Sequence, residues 1–167
     1  MLDTVRSPLG LSAQDQHEEH RVADQVSERI RIAATAQRCW DIALDFEKYP
    51  TWVRDIKRAV VLARDSEGRA SSVEFRAAAL GKSITYVLAY DFADAPHSFS
   101  WRLDHGDLLR RLDGSYRFEP EGEATRVHYD LVAELRAPLP GMIVRRATGI
   151  IMGSALRDLK AHVEATA

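Results

Sequence analysis

The chain has 167 residues, of which 46% are hydrophobic and 29% charged, and 23 Lys and Arg against 25 Asp and Glu give a net charge of −2. This composition is typical of a globular protein of one domain, and no apolar run approaches the ~20 residues that cross a bilayer. The near-neutral charge argues against nucleic acid as the main partner. The single cysteine, Cys39, excludes an internal disulfide and a thiolate metal cluster. Together with the lack of an apolar segment near Met1, it predicts a cytoplasmic protein.

The first 23 residues predict a flexible tail. They hold few large apolar groups, so burial would not offset the entropy of ordering them. His17 and His20 are three residues apart, whereas the zinc-protease motif needs two His four apart on a helix with a third ligand. We therefore expect a tail over residues 1–23 and a domain over residues 24–165, with neither a metal site nor a cofactor.

A strand and two short helices begin the predicted domain. Apolar and polar residues alternate between Gln25 and Ile32, which is the period of a half-buried strand. Thr35 suits the N-cap of a helix that runs to Asp45. Pro50 suits the first turn of a second helix, from Pro50 to about Asp55, because proline is tolerated where the N–H would be unpaired.

Six further alternating segments predict strands. Clean alternation with short turns is typical of an antiparallel sheet with one buried face. The segments are Ile56–Arg64, Ala70–Ala79, Ser83–Phe92, Ser98–His105, Leu112–Glu119 and Thr125–Leu135. From Met142 to about Glu164, apolar residues recur every three or four positions, which predicts one long helix.

One long helix packed against seven strands predicts an α+β fold. A helix about 10 Å across cannot cover a flat sheet of seven strands spaced ~4.8 Å apart, so the sheet must curl around the helix. Such a sheet commonly leaves an interior cavity. Small residues on one strand, Ala77 to Ala79, and on the helix, among them Ala147 and Ser154, either leave space for this cavity or let helix and sheet pack closely. The sequence leaves both open.

The order strand, two helices, six strands and long helix resembles the helix-grip fold of START-like (SRPBCC) and birch-pollen-allergen-like proteins. The segment from Trp40 to Trp52 contains Asp-Phe-x-x-Tyr-Pro-x-Trp, which is similar to the signature of the polyketide cyclase/dehydrase and coenzyme Q-binding START-like families. Gly114 to Pro120, the strand start at Thr125 and Pro138 to Gly141 are similar to the same pattern. The resemblance covers about Asp24 to Glu164.

The resemblance implies a hydrophobic pocket for a lipid, quinone, isoprenoid or polyketide-like molecule. Three functions stay open: binding or transport of such a ligand, catalysis of the polyketide cyclase/dehydrase type, and a role directed at another macromolecule. Binding or transport is the first hypothesis, because the sequence offers no convincing inward-facing set of Arg, Asp or Glu for catalysis. Whether the chain is an enzyme is not settled at this stage.

Residues in the inward phase of the strands and of the helix are the candidates for contact with the ligand. Trp52 is expected at the mouth of the cavity, as a plug or as a ligand contact. The predicted lining is Trp52, Phe75, Ala77, Tyr86, Leu88, Tyr90, Trp101, Tyr116, Tyr129, Ala147, Ile151 and Ser154. No catalytic residue is assigned, because a buried tyrosine usually only satisfies its hydroxyl with a neighbour.

Three other features carry chemistry that the sequence does not resolve. His105 is expected at a strand end near the rim, and Cys39 is interpreted as a small buried hydrophobe rather than a nucleophile. Arg110-Arg111 and Arg145-Arg146 form either a basic rim for an anionic head group or membrane surface, or solvated faces. Transient contact with a membrane surface and the oligomeric state therefore stay open.

Overall fold

A computed structural model describes residues 24–79, 81–136 and 140–166 of the chain. Its strands are β1 (Asp24–Ile32), β2 (Ile56–Arg64), β3 (Ala70–Ala79), β4 (Lys82–Asp91), β5 (Ser98–Gly106), β6 (Leu109–Glu121) and β7 (Ala124–Leu135), and its helices are α1 (Ala36–Leu44), α2 (Tyr49–Trp52) and α3 (Gly141–Ala165). A 3₁₀ turn, Phe46–Lys48, joins α1 to α2. The predicted order of elements is confirmed. The predicted tail over residues 1–23 lies outside the described residues.

The seven strands form one antiparallel sheet in the order β1-β7-β6-β5-β4-β3-β2. β1 pairs with β7 from Asp24 opposite Ala133 to Ile32 opposite Thr125. The apolar phase of each strand faces the interior, as β7 illustrates with its buried Tyr129 and half-buried His128. The period-2 pattern thus predicts both the elements and the face that they bury.

Helix α3 packs on β1 and β7 along the concave face of the sheet. Its buried residues include Leu156, Leu159 and Val163, each no more than 2% exposed. Lys160 Nζ donates to the carbonyl of Arg31 at 2.7 Å, which holds the C-terminal half of α3 to the end of β1. The predicted curved sheet around one long helix is confirmed. Within the described residues, no helix is long and apolar enough to cross a membrane.

Helix α1 closes one end of the interior. Thr35 caps its first turn, as predicted. Trp40 on its buried face meets Phe92, Phe99 and Phe118 edge-on, with ring centroids 5.6–6.4 Å apart. Edge-to-face pairs at these distances are favourable. They fill this end of the interior with aromatic rings.

Two element boundaries differ from the prediction by three residues. The second helix covers only Tyr49–Trp52, because Val53 adopts an extended backbone with φ −88° and ψ 109° and the chain then leads directly into β2. Strand β6 begins at Leu109 rather than Leu112. A register irregularity between Leu109 and Arg111 breaks the alternation there, so the strand start is hidden from a period-2 reading.

Candidate ligand-binding cavity

A cavity of about 100 Å³ lies between α3, α2 and the concave face of the sheet. Its wall consists of aliphatic and aromatic side chains. The described residues that line it are Tyr49, Trp52, Val53, Ile56, Phe75, Tyr86, Leu88, Tyr90, Phe99, Trp101, Leu112, Tyr116, Tyr129, Leu131 and Ala155. None of these side chains is a carboxylate, an amine, a guanidinium or an imidazole. The polar atoms of the described lining are tyrosine hydroxyls and tryptophan ring nitrogens.

The volume of the cavity limits what fits without rearrangement. A dry cavity on the order of 150 Å³ is large enough to hold benzene, whereas pockets for drug-sized ligands measure roughly 300–1,000 Å³. The cavity of about 100 Å³ is smaller than this benzene reference, so even a molecule with a single ring needs a small outward shift of the wall. A longer or fused-ring ligand requires the side chains of the wall to move apart.

Four tyrosine hydroxyls on the sheet wall have no hydrogen-bond partner among the described residues. Tyr86 and Tyr90 belong to β4, and Tyr116 and Tyr129 are register partners on β6 and β7. The Tyr116 and Tyr129 rings meet edge-to-face with centroids 4.5 Å apart. Tyr49 differs from all four, because its hydroxyl donates to the carbonyl of Ala43.

Burial raises the pKa of these phenols. The pKa of Tyr90, Tyr116 and Tyr129 lies well above the ordinary value of 10, first through burial and then through neighbouring phenols, whose negative forms would repel one another. For Tyr86, burial acts first and the charge of Asp55 second. The hydroxyls therefore stay protonated at neutral pH and are available as hydrogen-bond donors.

Trp52 lies at the contact between α2 and α3 as well as in the cavity wall. Its ring stacks on His162 with centroids 5.1 Å apart and an interplanar angle of 2°, and it meets the Tyr49 ring at 4.9 Å. The Arg54 N–H donates to Asp158 at 2.9 Å, which ties the end of α2 to α3. The indole N–H of Trp52 is buried and has no acceptor among the described residues.

Two glycines shape the sheet wall. A Cβ at Gly106 would lie 2.6 Å from the Cβ of Tyr86, and a Cβ at Gly114 would lie 2.6 Å from the carbonyl oxygen of Asp130 and against the Trp101 ring. Real Cβ atoms essentially never come within 3.0 Å of such a neighbour. The two glycines therefore give Tyr86 and Trp101 the space that these rings occupy beside the cavity.

The structure brings most of the predicted lining together. The predicted residues that line the cavity are Trp52, Phe75, Tyr86, Leu88, Tyr90, Trp101, Tyr116 and Tyr129. Ala77 is 7% exposed and packs in the core, but it is not part of the lining. The side chains of Ala147 and Ile151 lie outside the described residues.

Ser154 is placed elsewhere, which corrects its assignment to the inward stripe. It lies two residues before the buried Leu156, and two residues correspond to about 200° around a helix. Its hydroxyl accepts a 3.5 Å hydrogen bond from Arg157 instead. Ala155 is the neighbouring small residue that does line the cavity.

The sequence did contain a signal for some of the lining residues that were not predicted. Phe99, Leu112 and Leu131 follow the inward phase of their strands, so the alternation could have identified them. Tyr49 could not have been found in this way, because it belongs to a single helical turn without a readable period. Its contribution depends on where the chain turns before Pro50.

Three other candidate groups lie away from the cavity. His105 is exposed and lies 2.7 Å from Asp104, and Cys39 is fully buried, where burial raises the pKa of its thiol. Arg110 and Arg111 are exposed, and Arg111 pairs with Asp113 at 2.5 Å. The side chain of Arg145 lies outside the described residues. Within the described part of the chain, no cluster of His, Cys, Asp and Glu is placed to hold a metal ion.

A larger hollow of about 370 Å³ lies on the outer face of the sheet. Its lining is mainly polar, with the carboxylates of Asp91, Asp94 and Asp130 beside Arg117. Small-molecule sites are mostly apolar with a few polar groups. The inner cavity has that composition and the outer hollow does not, so the inner cavity is the candidate site despite its smaller volume.

Residues 23–164 match the model of a family described as polyketide cyclase/dehydrase and lipid transport. A comparison with curated proteins gives no match.

Solved structures share the fold. A START superfamily protein from Mycobacterium smegmatis is 28% identical with a TM-score of 0.82, and the alignment covers 86% of this chain and 99% of that one. A protein from Thermus thermophilus is 26% identical with a TM-score of 0.73 over 86% of this chain and 99% of that one. The Zhui aromatase/cyclase from Streptomyces is 15% identical with a TM-score of 0.73, covering 84% and 93% of the two chains, and this likeness concerns the fold alone.

Proposed function

We propose that this chain, which belongs to the polyketide cyclase/dehydrase and lipid transport family, binds a hydrophobic small molecule. The site is the cavity between α3 and the concave face of the sheet. The observation that carries this proposal is the cavity itself. A wall of aliphatic and aromatic side chains with a few hydroxyls is the usual composition of a small-molecule site. A close-packed core of the same residues would leave no space.

The chemistry of the wall favours binding or transport over catalysis. General acid–base catalysis needs a group whose pKa lies near the working pH. The titratable groups of the described lining are tyrosine phenols, and burial moves their pKa upward, away from neutrality. Such groups can orient a ligand through hydrogen bonds. They are poorly suited to remove a proton from one.

The lipid, quinone, isoprenoid and polyketide-like ligands suggested by the family resemblance are all largely apolar, but they differ in size. With a cavity of about 100 Å³, a single ring is the part of such a ligand that needs the least rearrangement of the wall. We therefore choose ethylbenzene, a single ring with a short chain, as the probe of the cavity.

A pair of alanines on α3 gives a matched test. Ala155 lines the cavity, whereas Ala161 is exposed on the same helix. Ala155→Phe places a ring in the cavity, so we expect saturable binding of ethylbenzene to the native chain and its loss in this variant. Ala161→Phe adds the same ring on the outside and should leave binding unchanged. Protein NMR titration measures both, and thermal melting confirms that the two variants are folded.

Two results would contradict the proposal. If the folded native chain shows no saturable shift with ethylbenzene, the cavity does not take up apolar ligands. If Ala155→Phe is folded and binds ethylbenzene as well as Ala161→Phe does, the ligand occupies another place on the protein.

A further inference from the structure

We infer that the cavity selects an uncharged ring compound that carries a carbonyl oxygen, held by the hydroxyls of Tyr86, Tyr90, Tyr116 and Tyr129. This inference rests on the proposed function and specifies the chemistry of its ligand. It is carried by the position of these hydroxyls in an apolar wall and by the lack of charged side chains in the described lining.

The four hydroxyls are donors to which no described residue offers an acceptor, and the buried indole N–H of Trp52 is a further donor without a partner among the described residues. Tyr86, Tyr116 and Tyr129 are at least nine-tenths buried, at 9%, 8% and 7% exposure. Buried polar groups in proteins nearly always have a partner, and an unpaired one lowers stability. Tyr49 follows this rule, because its hydroxyl donates to the carbonyl of Ala43. The other four belong to residues of the cavity wall, so a ligand in the cavity can accept from them in place of water.

The hydroxyls lie within electrostatic reach of one another. The Tyr49, Tyr86, Tyr116 and Tyr129 phenols each act on the pKa of Tyr90, and Tyr116 acts on that of Tyr129. Burial is the first cause that raises the pKa of all four, and the second is a neighbouring phenol for Tyr90, Tyr116 and Tyr129 and the charge of Asp55 for Tyr86. The ligand therefore meets several protonated donors from one side of the cavity.

A carbonyl oxygen matches this set better than a hydroxyl does. It has two lone pairs and no proton, so it can accept from two neighbouring phenols without requiring an acceptor in return. Tyr116 and Tyr129 are register partners whose ring centroids lie 4.5 Å apart, and they are therefore our candidates for such a pair of donors.

A carboxylate is disfavoured for a different reason. An ionised group that enters an apolar site without a cation loses its hydration and is not compensated. The described lining has no lysine, arginine or histidine to supply that cation. The same wall that accepts a ketone therefore rejects the corresponding acid.

Three ligands of nearly equal shape separate these possibilities: acetophenone, ethylbenzene and benzoate. Each would be titrated into the full chain at neutral pH and its dissociation constant measured by NMR. A purely apolar cavity would bind ethylbenzene most tightly, because the carbonyl of acetophenone must leave water. We expect the opposite order, with acetophenone bound roughly tenfold more tightly than ethylbenzene, as two hydrogen bonds outweigh that cost. We expect no saturable binding of benzoate.

Tyrosine-to-phenylalanine variants test the source of the preference. Tyr116→Phe and Tyr129→Phe each remove one unpaired hydroxyl and should reduce the ratio of acetophenone to ethylbenzene affinity several-fold. Tyr49→Phe removes a hydroxyl that is already bonded to Ala43, so the ratio should persist whatever happens to the two affinities separately. If a variant does not fold, the infrared carbonyl stretch of acetophenone bound to the native chain still shows whether the carbonyl accepts a hydrogen bond. Hydrogen bonding lowers its frequency relative to the free ketone in hexane.

The outcomes separate the inference from the proposed function. Equal or tighter binding of ethylbenzene, tighter binding of benzoate, or a carbonyl stretch as in hexane would overturn the inference while uptake of apolar ligands still stands. An equal loss of the ratio in Tyr49→Phe would overturn it as well. Failure of all three ligands to bind would overturn the proposed function, and the inference with it.

Discussion

At the scale of single residues, the position of Trp101 depends on a residue that has no side chain. Trp101 and Gly114 are register partners on β5 and β6, and the Trp101 ring occupies the space in which a Gly114 side chain would stand. Trp101 is 7% exposed and lines the cavity. The shape of the cavity therefore depends on Gly114, although Gly114 itself is not part of the lining.

Substitution of Gly114 by alanine should destabilise the protein. The new Cβ would lie 2.6 Å from the backbone carbonyl oxygen of Asp130, which cannot move without disturbing the β6–β7 pairing. Overpacking of this kind costs about 1–3 kcal/mol. Gly149→Ala is the matched control, because its added Cβ meets nothing within 4 Å beyond its chain neighbours and the backbone of its own helix, and alanine favours a helix by about 1 kcal/mol over glycine. Urea unfolding should show a lower free energy of unfolding for Gly114→Ala and a higher one for Gly149→Ala. Equal changes in the two variants would contradict this explanation.

Cys39 should be unreactive in the native protein. Its side chain is fully buried, and burial raises the pKa of the thiol, so little thiolate exists at neutral pH. We expect iodoacetamide to leave native Cys39 unmodified and to alkylate it completely in guanidinium, as measured by mass spectrometry. Rapid alkylation of the native chain would show that the thiol is exposed by local opening.

At the scale of elements, alternation predicted the limits of β2 and β3 although their pairing contains three register irregularities, and it missed the start of β6. Ile56–Arg64 and Ala70–Ala79 have the predicted limits as β2 and β3. Strand β6 starts three residues earlier than predicted, because the irregularity between Leu109 and Arg111 interrupts its period. Such local features depend on the pairing of distant strands. A single segment of sequence does not encode them.

Helix α3 is fixed at its C-terminal end by Glu164. This carboxylate accepts from Lys160 Nζ at 2.6 Å and from the Ala33 N–H at 2.9 Å. The hydrogen bond from Lys160 lowers the pKa of Glu164 most, and the one from Ala33 lowers it further. A carboxyl group whose pKa is lower in the folded state stabilises that state above its ordinary pKa and loses this contribution as the pH falls through the lowered value.

We therefore expect Glu164→Gln to lower the melting temperature at neutral pH. The difference from the native chain should shrink in acid, as the pH falls below the ordinary value of 4.5 and through the lowered one. Glu123→Gln, at an exposed turn residue, is the control and should have little effect at either pH. A difference that stays constant from neutral pH into acid would mean that the charge of Glu164 does not contribute to the docking of α3.

At the scale of the whole molecule, the sequence predicted the presence of a cavity better than its limits. Inward phase identified the strand residues of the wall, such as Phe75 and Leu88, because the pleat fixes their direction. It did not identify Tyr49, whose position follows from how α2 packs across the sheet, and it placed Ser154 on the wrong side of α3. Volume and hydrogen-bond satisfaction depend on all elements together, so only the folded chain reveals them.

The claim that an apolar ligand enters the interior is tested most directly by locating a bound molecule. With methyl-labelled protein and ethylbenzene, NMR should give intermolecular NOEs from ligand protons to the methyl groups of Leu88, Leu131 and Ala155, which line the cavity from opposite sides. NOEs confined to Leu62 or Leu108, which are 52% and 44% exposed, would place the ligand on the surface and contradict this account.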